Sequence, residues 1–290
     1  MNEQNEMQGY KTIITSEARW FDLKLDELWE YRDLVLLFVK RNFTSRYKQT
    51  ILGPAWAVIN PLLTTVVFTL IFGNIAGLAD CGQVPRFLFY LCGNTAWQFF
   101  SGILVGTSET FIANRRIMGK VYFPRMVVPV ATVLTQLIGY GIQLVMLLGF
   151  YIGFSFMPGY SFGPSPVLWL APLCVLEMCL LGMGCGIIVS ALTTRYRDLQ
   201  MLVSFGVSLW MYGTPVAYSL SVFKNSPVYQ ILLLNPMTAV IETLRCGMLG
   251  LQAGSWMPAY YALSWVVTML LVVVGMMLFN RVEKNFMDTV

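Results

Sequence analysis

The stretch KRNFTSRYKQTILGPAWAVINPLL, from Lys40 to Leu63, separates a charged N-terminal part of the chain from a long apolar part. Its first half carries clustered cations: Lys40, Arg41, Arg46 and Lys48. From Gln49 to Ala79 no residue is charged. An α-helix needs about 20 apolar residues to cross a bilayer, and this run is longer. A basic segment directly before an apolar run is typical of a chain that enters the membrane from the cytoplasm.

The composition supports an integral membrane protein. Of the 290 residues, 57% are hydrophobic and only 12% are charged, and the mean hydropathy is +0.64. A soluble chain with this composition would expose far too much apolar surface. The net charge is +4, and the lysines and arginines form short clusters between apolar runs rather than one basic domain. We therefore expect no nucleic-acid partner.

Histidine is absent and the cysteines show no regular spacing. The absence of histidine removes the commonest general base and the commonest metal ligand. The six cysteines are scattered and lie mostly in apolar runs, which predicts small core residues rather than a metal site or a disulfide framework.

The order of apolar runs predicts an all-α integral membrane protein with six transmembrane helices. The spans are expected at about 54–78, 87–112, 126–154, 167–192, 199–218 and 259–279, within a transmembrane domain of residues 54–280. The uncharged run from Met126 to Leu176 is divided at MPGYSFGPSP, because its prolines and glycines propagate a helix poorly.

Residues 1–53 and 281–290 are expected in the cytoplasm. Residues 1–24 are mixed polar and charged and lack the apolar core of a signal peptide. Residues 25–48 have an amphipathic pattern, which predicts an interface helix lying along the membrane surface.

Two proline motifs lie at the first span. Proline suits the first turn of a helix, so Gly53-Pro54 predicts its start. Asn60-Pro61 lies inside the span and predicts a kink, because proline removes one backbone hydrogen bond.

The segment 220–257 predicts short re-entrant helices in the outer leaflet rather than a crossing. Its apolar pieces are too short to span and are broken at Ser226-Pro227 and Asn235-Pro236. Glu242 and Arg245 lie three residues apart, so we expect them to pair on one helical face, which lowers the cost of keeping them near the membrane.

The distribution of cations predicts that both termini are cytoplasmic. With this topology, all of the 19 lysines and arginines fall in cytoplasmic segments except Arg86, Lys224 and Arg245. The positive-inside rule therefore favours an even number of spans.

Five motifs in order and in register resemble those of ABC-2 type polysaccharide exporter permeases, which move lipid-linked O-antigen, capsule or teichoic acid polymers. The resemblance covers residues 28–285 or so. The motifs are RYKQTILGPAWAVINPLL, VYFPRMVVPVA, RYRDL, TPVAYS and LLLNPMTAVIETLR.

This resemblance implies a non-enzymatic permease in the bacterial inner membrane that acts as a homodimer with two copies of a separate ATPase. The chain has no G-x-x-x-x-G-K-[ST] phosphate-binding loop, so ATP and Mg are expected on the partner and no cofactor in this chain. The residues implied to couple to the ATPase are Arg46, Tyr47, Lys48, Arg115, Arg116, Lys120, Phe123, Arg125, Arg195, Tyr196, Arg197 and Asp198. Topology alone also explains these cations, since any membrane protein collects them on the cytoplasmic side.

A hydrated glycan needs a polar or aromatic path, because the CH faces of sugars stack on aromatic rings and their hydroxyls need partners. The candidates for lining this path are Asn60, Asn94, Trp97, Phe100, Gln136, Tyr140, Tyr151, Trp210, Tyr212 and Tyr218. The belts of aromatic residues at membrane interfaces explain many of these equally well.

A further set has an expected gating or structural role: Pro61, Glu177, Pro215, Asn235, Pro236, Glu242 and Arg245. Glu177 lies near the middle of the fourth span, where a carboxylate costs about 2.5–3.5 kcal/mol on insertion scales, so it should face protein or a water-filled cavity. Pairing with a neighbouring helix is the alternative. Closure of the ATPase is expected to open a path through motion at Asn60-Pro61 and Asn235-Pro236.

Two alternatives to a polysaccharide exporter remain at this stage. One is an ABC-2 exporter of drugs or small lipids. The other is an integral membrane transferase, which is disfavoured because Glu109, Glu177 and Glu242 stand far apart in sequence.

Overall fold

The computed structural model describes residues 25–48, 50–79, 81–118, 123–193, 198–251 and 257–286, and the regular secondary structure in these ranges is helical throughout. The α-helices are α1 (Leu25–Glu30), α2 (Arg32–Tyr47), α3 (Trp56–Phe68), α4 (Arg86–Ser108), α5 (Thr110–Met118), α6 (Val127–Ser155), α7 (Ala171–Thr193), α8 (Leu199–Tyr212), α9 (Val228–Leu234), α10 (Pro236–Leu249) and α11 (Pro258–Phe286). Tighter 3-10 turns lie at Gly53–Ala55, Pro166–Leu170 and Leu220–Phe223, and a π-helical segment, Thr69–Ile75, continues α3.

Several helices are both long enough and apolar enough to cross a bilayer. Within the described residues these are Gly53–Ile75, Val127–Ser155, Pro166–Thr193 and Pro258–Arg281. Helices α9 and α10 meet the same criterion together, but they are bent by 87°. The chain is therefore an all-helical integral membrane protein, and the four long segments lie where the first, third, fourth and sixth spans were predicted.

Helix α4 occupies the position of the second predicted span and is packed deeply among other helices. Its 23 residues extend over about 34 Å, enough to cross a hydrocarbon core of about 30 Å. It contacts α3, α6, α7 and α10, and most of its side chains are buried. Because α4 faces protein more than lipid, it tolerates polar residues such as Asn94 and Gln98. Its sequence is therefore less apolar than those of the four long segments. It ends at Ser108, earlier than the predicted boundary at 112, and α5 follows.

Helix α8, at the fifth predicted span, is shorter than expected. Its 14 residues cover only about 21 Å, and the segment 213–219 that follows is a turn. Gly213 and Pro215 explain the early end, because Pro215 disfavours the helical conformation at Thr214. The six-span count therefore stays a prediction.

Close packing of α7 between α4 and α11 depends on glycine. A Cβ atom on Gly186 would lie 2.6 Å from Thr107 Cβ and 2.8 Å from the carbonyl oxygen of Leu104, both on α4. On α11, a Cβ atom at Gly275 would lie 2.9 Å from the carbonyl oxygen of Gly184 in α7. Small residues that let backbones approach are a main source of helix association in membranes.

The predicted surface helix is divided at Tyr31 into α1 and α2. Val35, Phe38 and Val39 are buried in a cluster that includes residues of α6. Leu36 and Leu37 lie on another side of α2 and are more than half exposed. One side of α2 thus packs on the helical bundle, and an apolar strip remains open, as expected for a helix at the headgroup level.

Candidate transport pathway and coupling surfaces

Arg245 on α10 is fully buried and joins three parts of the chain. Its Nε donates to the carbonyl oxygen of Phe89 on α4 at 3.3 Å. Its Nη1 and Nη2 donate to the carbonyl oxygens of Pro215 and Val216, the latter at 3.0 Å. The guanidinium carbon also lies 3.7 Å from the centre of the Phe89 ring. A buried cation is thus satisfied by backbone carbonyls, and it ties α10 to α4 and to the turn 213–219.

The predicted pairing of Glu242 with Arg245 is confirmed. The carboxylate Oε1 lies 3.2 Å from Arg245 Nη1, three residues further along α10. Gly93 on α4 makes room for this cation, since a Cβ atom there would lie 2.5 Å from Arg245 Nη2. The ion pair and the glycine together form a packed junction.

Asn235 stands at the sharp bend between α9 and α10. Its Oδ1 accepts from the backbone N–H of Met237 at 3.1 Å, which caps α10. Its Nδ2 donates to the carbonyl oxygen of Gly213 at 3.0 Å and to Thr214 Oγ1 at 2.8 Å. Pro236 follows at the first turn of α10, where proline fits. The predicted break at Asn235-Pro236 therefore also holds the end of α8.

A large cavity, the hairpin cavity, lies between α8 and the bent pair α9–α10. Its volume is about 610 Å³. It is lined by Trp210, Tyr212, Gly213, Tyr218, Phe223, Val228, Ile231, Leu232, Leu234, Asn235 and Pro236. Five residues predicted for the pathway or gate meet here: Trp210, Tyr212, Tyr218, Asn235 and Pro236.

The other predicted pathway aromatics lie apart from the hairpin cavity. Trp97 and Phe100 are buried on α4, and both rings contact Trp210, which lines that cavity. Tyr140 is buried and stacks on Phe99 with ring centres 4.4 Å apart. Tyr151 is half-buried against Phe162. A single copy of the chain does not bring all the predicted aromatics to one continuous surface.

A second cavity, the amide cavity, lies where α2 ends and α3 begins. Its volume is about 170 Å³. It is lined by Arg46, Tyr47, Trp56, Ala57, Asn60, Gln98, Phe99, Gln136, Gly139, Tyr140 and Gln143. It brings together residues that the sequence had assigned to two different roles, since Arg46 and Tyr47 were coupling candidates while Asn60, Gln136 and Tyr140 were pathway candidates.

Helix α3 continues through Pro61, and neighbouring helices satisfy the backbone there. Proline has no N–H, so the carbonyl oxygen of Ala57, four residues earlier, loses its partner within the helix. Gln143 Nε2 on α6 donates to that oxygen at 3.3 Å. Asn94 Nδ2 on α4 donates to the carbonyl oxygen of Pro61 at 3.0 Å. Asn94, predicted for the pathway, is 1% exposed and binds the α3 backbone instead of facing open space.

Gln143 and Gln98 were missed in the sequence, although both line the amide cavity. The available signal was Pro61 itself, because a proline inside a span requires a donor from another helix. Sequence alone does not say which helix supplies it.

Glu177 faces protein, which is one of the two surroundings expected for it from the sequence. It is fully buried on α7, and its Oε1 accepts from Ser264 Oγ at 2.6 Å and from Thr268 Oγ1 at 3.5 Å, both on α11. These contacts fit a structural link between α7 and α11.

The structure describes only part of the predicted coupling surface. Lys120, Arg195, Tyr196 and Arg197 lie outside the described residues, and Arg115 and Arg116 belong to α5 with side chains that are likewise outside the description. Phe123 is buried against Phe38 of α2, with ring centres 5.7 Å apart, and Arg125 is buried. Asp198 directly precedes α8, and Lys48 is exposed at the end of α2.

Two side-chain contacts connect the elements of this surface, and neither was foreseen. Arg41 Nη2 on α2 donates to Asn114 Oδ1 on α5 at 2.9 Å. Gln200 Nε2 on α8 donates to Glu109 Oε1, between α4 and α5, at 3.1 Å. Partial burial lowers the pKa of the Arg41 guanidinium. The ordinary pKa of an arginine is so high that the side chain nevertheless stays charged. Hydrogen bonds thus link the surface helix to α5, and the start of α8 to the residue between α4 and α5.

In the described part of the chain, no group of three or more histidine, cysteine or acidic side chains is arranged to hold a metal ion. The cysteines are free thiols, and Cys81, Cys92, Cys174 and Cys246 are buried.

The sequence comparison defines the class of protein. Residues 33–249 match the family described as ABC-2 type transporter. The chain belongs to this family, whose match runs from the surface helix α2 to the end of α10.

Relatives of known name are similar over most of the chain. Two proteins of Klebsiella pneumoniae, each named O-antigen export system permease protein RfbA, are 26% and 27% identical to it over 261 and 257 residues. Both matches cover 88% of this chain and 94% of the relative. A Myxococcus xanthus protein of the same name is 30% identical over 224 residues, which is 76% of this chain and 81% of the relative.

Proposed function

We propose that the chain is the permease subunit of an ATP-driven exporter that moves a lipid-linked polysaccharide of the O-antigen type across the bacterial inner membrane. The observation that carries this proposal is the similarity to O-antigen export permeases of two organisms, over 88% and 76% of the chain. The membrane-spanning helices and the two cavities supply a physical basis for transport.

The topology in this proposal has six spans, with both termini in the cytoplasm. The length of α4 supports its role as the second span. Helix α8 and the turn after it form the fifth, and the bent pair α9–α10 re-enters the outer leaflet. The distribution of lysine and arginine supports this orientation.

A second copy of the chain completes the pathway. Helix α8 is apolar, yet none of the residues in Leu199–Tyr212 is buried, and Leu202, Phe205 and Leu209 are more than half exposed. The hairpin cavity borders the same helix. A homodimer that packs around α8 would turn the hairpin cavities of two copies into one enclosed path, and closed twofold assembly is the commonest arrangement of identical chains.

Energy comes from a separate ATPase that binds the basic surface. The chain has no phosphate-binding loop of the G-x-x-x-x-G-K-[ST] type, so ATP and Mg bind the partner. The contact Arg41–Asn114 links α2 to α5, and Gln200–Glu109 links α8 to the residue before α5, so in this proposal a push on the surface is passed to α8, which borders the hairpin cavity. Replacing Arg116 and Arg197 with alanine should leave ATP hydrolysis running without export, measured as nucleotide turnover beside surface polymer.

Reconstitution tests the substrate class. The chain and its ATPase are placed in proteoliposomes, and ATP hydrolysis is measured with lipid-linked polysaccharide, with phospholipid alone and with small amphipathic drugs. The proposal predicts that the lipid-linked polysaccharide stimulates hydrolysis most. Stronger stimulation by the drugs or by phospholipid would replace it with an exporter of small lipids or drugs.

A further inference from the structure

The amide cavity combines a cation with several uncharged hydrogen-bonding groups. Its lining includes amide side chains from three helices: Asn60, Gln98, Gln136 and Gln143. Arg46 at the end of α2 donates through Nη1 to Gln136 Oε1 at 2.9 Å, which uses one of the five N–H donors of a guanidinium. Arg46 is exposed, so its remaining donors are accessible to an anion at the rim of the cavity.

The side-chain oxygen of Gln143 is a buried hydrogen-bond acceptor without a donor among the described residues. The residue is 9% exposed, and its Nε2 is engaged with the Ala57 carbonyl oxygen. Its Oε1 has no hydrogen-bond partner among the described residues. A buried carbonyl oxygen without a donor is unfavourable, and a ligand hydroxyl in the cavity would satisfy it.

The aromatic walls of the cavity fit a sugar ring. A cavity of about 170 Å³ is far larger than a single water needs, so it has room for a ligand group. Tyr47, Trp56 and Tyr140 line the cavity beside the amides. Aromatic faces for CH groups, amides for hydroxyls and a guanidinium for a phosphate are the groups that a sugar phosphate requires.

We propose that the amide cavity binds the junction between the phosphate and the first sugar of a phosphate-linked glycan lipid. Arg46 holds the phosphate, the amides hold the sugar hydroxyls, and the lipid chain lies along the apolar surface of α3. This inference rests on the proposed function and adds the place where the substrate is first held. A plain phospholipid headgroup supplies the phosphate but lacks the ring of hydroxyls that the amides match.

Cysteine protection in the full chain tests this site. Gly139 lines the cavity, and a Cβ atom there meets nothing within 4 Å, so Gly139→Cys places a thiol in the cavity without a clash. Gly141 lies two residues further on α6, has the same free space and is not part of the lining, so Gly141→Cys is the matched control. The rate of maleimide labelling at each position is measured by mass spectrometry of its own peptide, which leaves the native cysteines in place.

The probes separate the two parts of the ligand: decyl phosphoglucose, decyl phosphate and decyl glucoside. Decyl phosphoglucose is expected to slow labelling of Gly139→Cys about tenfold or more. The other two probes should slow it less, and no probe should slow labelling of Gly141→Cys. Equal protection by decyl phosphate or by decyl glucoside would overturn the proposal. So would equal slowing at both cysteines, which indicates detergent-like coating.

A binding measurement without introduced cysteines covers the case in which a variant does not fold. Affinity for decyl phosphoglucose is compared for the unmodified chain, Arg46→Ala and Lys40→Ala. Lys40 is an exposed cation on the same helix and is not part of the cavity. Arg46→Ala should weaken binding about tenfold or more while Lys40→Ala leaves it unchanged, and equal effects of the two variants would overturn the assignment.

The proposed function and this inference can fail separately. Loss of surface polymer in cells without the chain, combined with no protection of Gly139→Cys, removes the headgroup site and leaves the exporter standing. Unchanged surface polymer in those cells removes the exporter itself.

Discussion

Replacing Arg245 with methionine removes a buried cation from the junction of α4, α10 and the turn 213–219. The variant removes the ion pair with Glu242 and the donors that Arg245 gives to the carbonyl oxygens of Phe89, Pro215 and Val216. Breaking a buried ion pair costs about 3–5 kcal/mol, and each buried carbonyl without a donor adds about 1–3 kcal/mol unless the turn relaxes. We therefore expect a loss of at least about 3 kcal/mol, or a midpoint of thermal unfolding lowered by about 6 °C or more.

Thermal unfolding of the purified chain, followed by tryptophan fluorescence in one detergent, measures this effect. Lys224→Met is the control, because Lys224 is an exposed cation before α9. Glu242→Gln combined with Arg245→Met should recover part of the loss, since no charge is left buried. A midpoint for Arg245→Met within about 1 °C of the Lys224→Met value would refute the role of this junction.

Three further experiments test the helix packing, the cap of α10 and the α7–α11 contact. Gly186→Val should prevent the close approach of α7 to α4 and lower the yield of folded protein, whereas Gly149→Val, at a position with free space on α6, should be tolerated; similar yields would contradict this. Asn235→Ala should cost about 1–2 kcal/mol in a stability measurement, because it loses the cap of α10 and the bonds to the end of α8, and an unchanged midpoint would argue against that role. Glu177→Gln keeps an acceptor for Ser264 and should shift the midpoint little, whereas Glu177→Lys should destabilise the α7–α11 contact strongly; equal midpoints for these two variants would count against that contact.

The sequence predicted the positions of the long helices well, because charged residues and prolines mark the ends of the apolar runs. The start at Gly53-Pro54 agrees with the 3-10 turn Gly53–Ala55. The predicted loop at 156–166 agrees with the end of α6 at Ser155 and the next turn at Pro166. The break at Asn235-Pro236 is also correct, although its angle of 87° depends on tertiary contacts.

The remaining features depend on contacts between residues far apart in sequence. The pairing of Arg245 with Glu242 is local and was predictable, whereas its bonds to Phe89 and Pro215 arise from tertiary packing. The role of Gln143 as donor to the α3 backbone required knowledge of which helix lies beside Pro61.

The central claim is that this chain carries a lipid-linked polysaccharide across the inner membrane. The most direct measurement is the amount of polysaccharide at the surface of cells that lack the chain, together with the amount of lipid-linked polysaccharide retained inside. The proposed function predicts loss of surface polymer, internal accumulation, and recovery of both when the chain is restored. Surface polymer at the normal level in cells without the chain, with no internal accumulation, would contradict it.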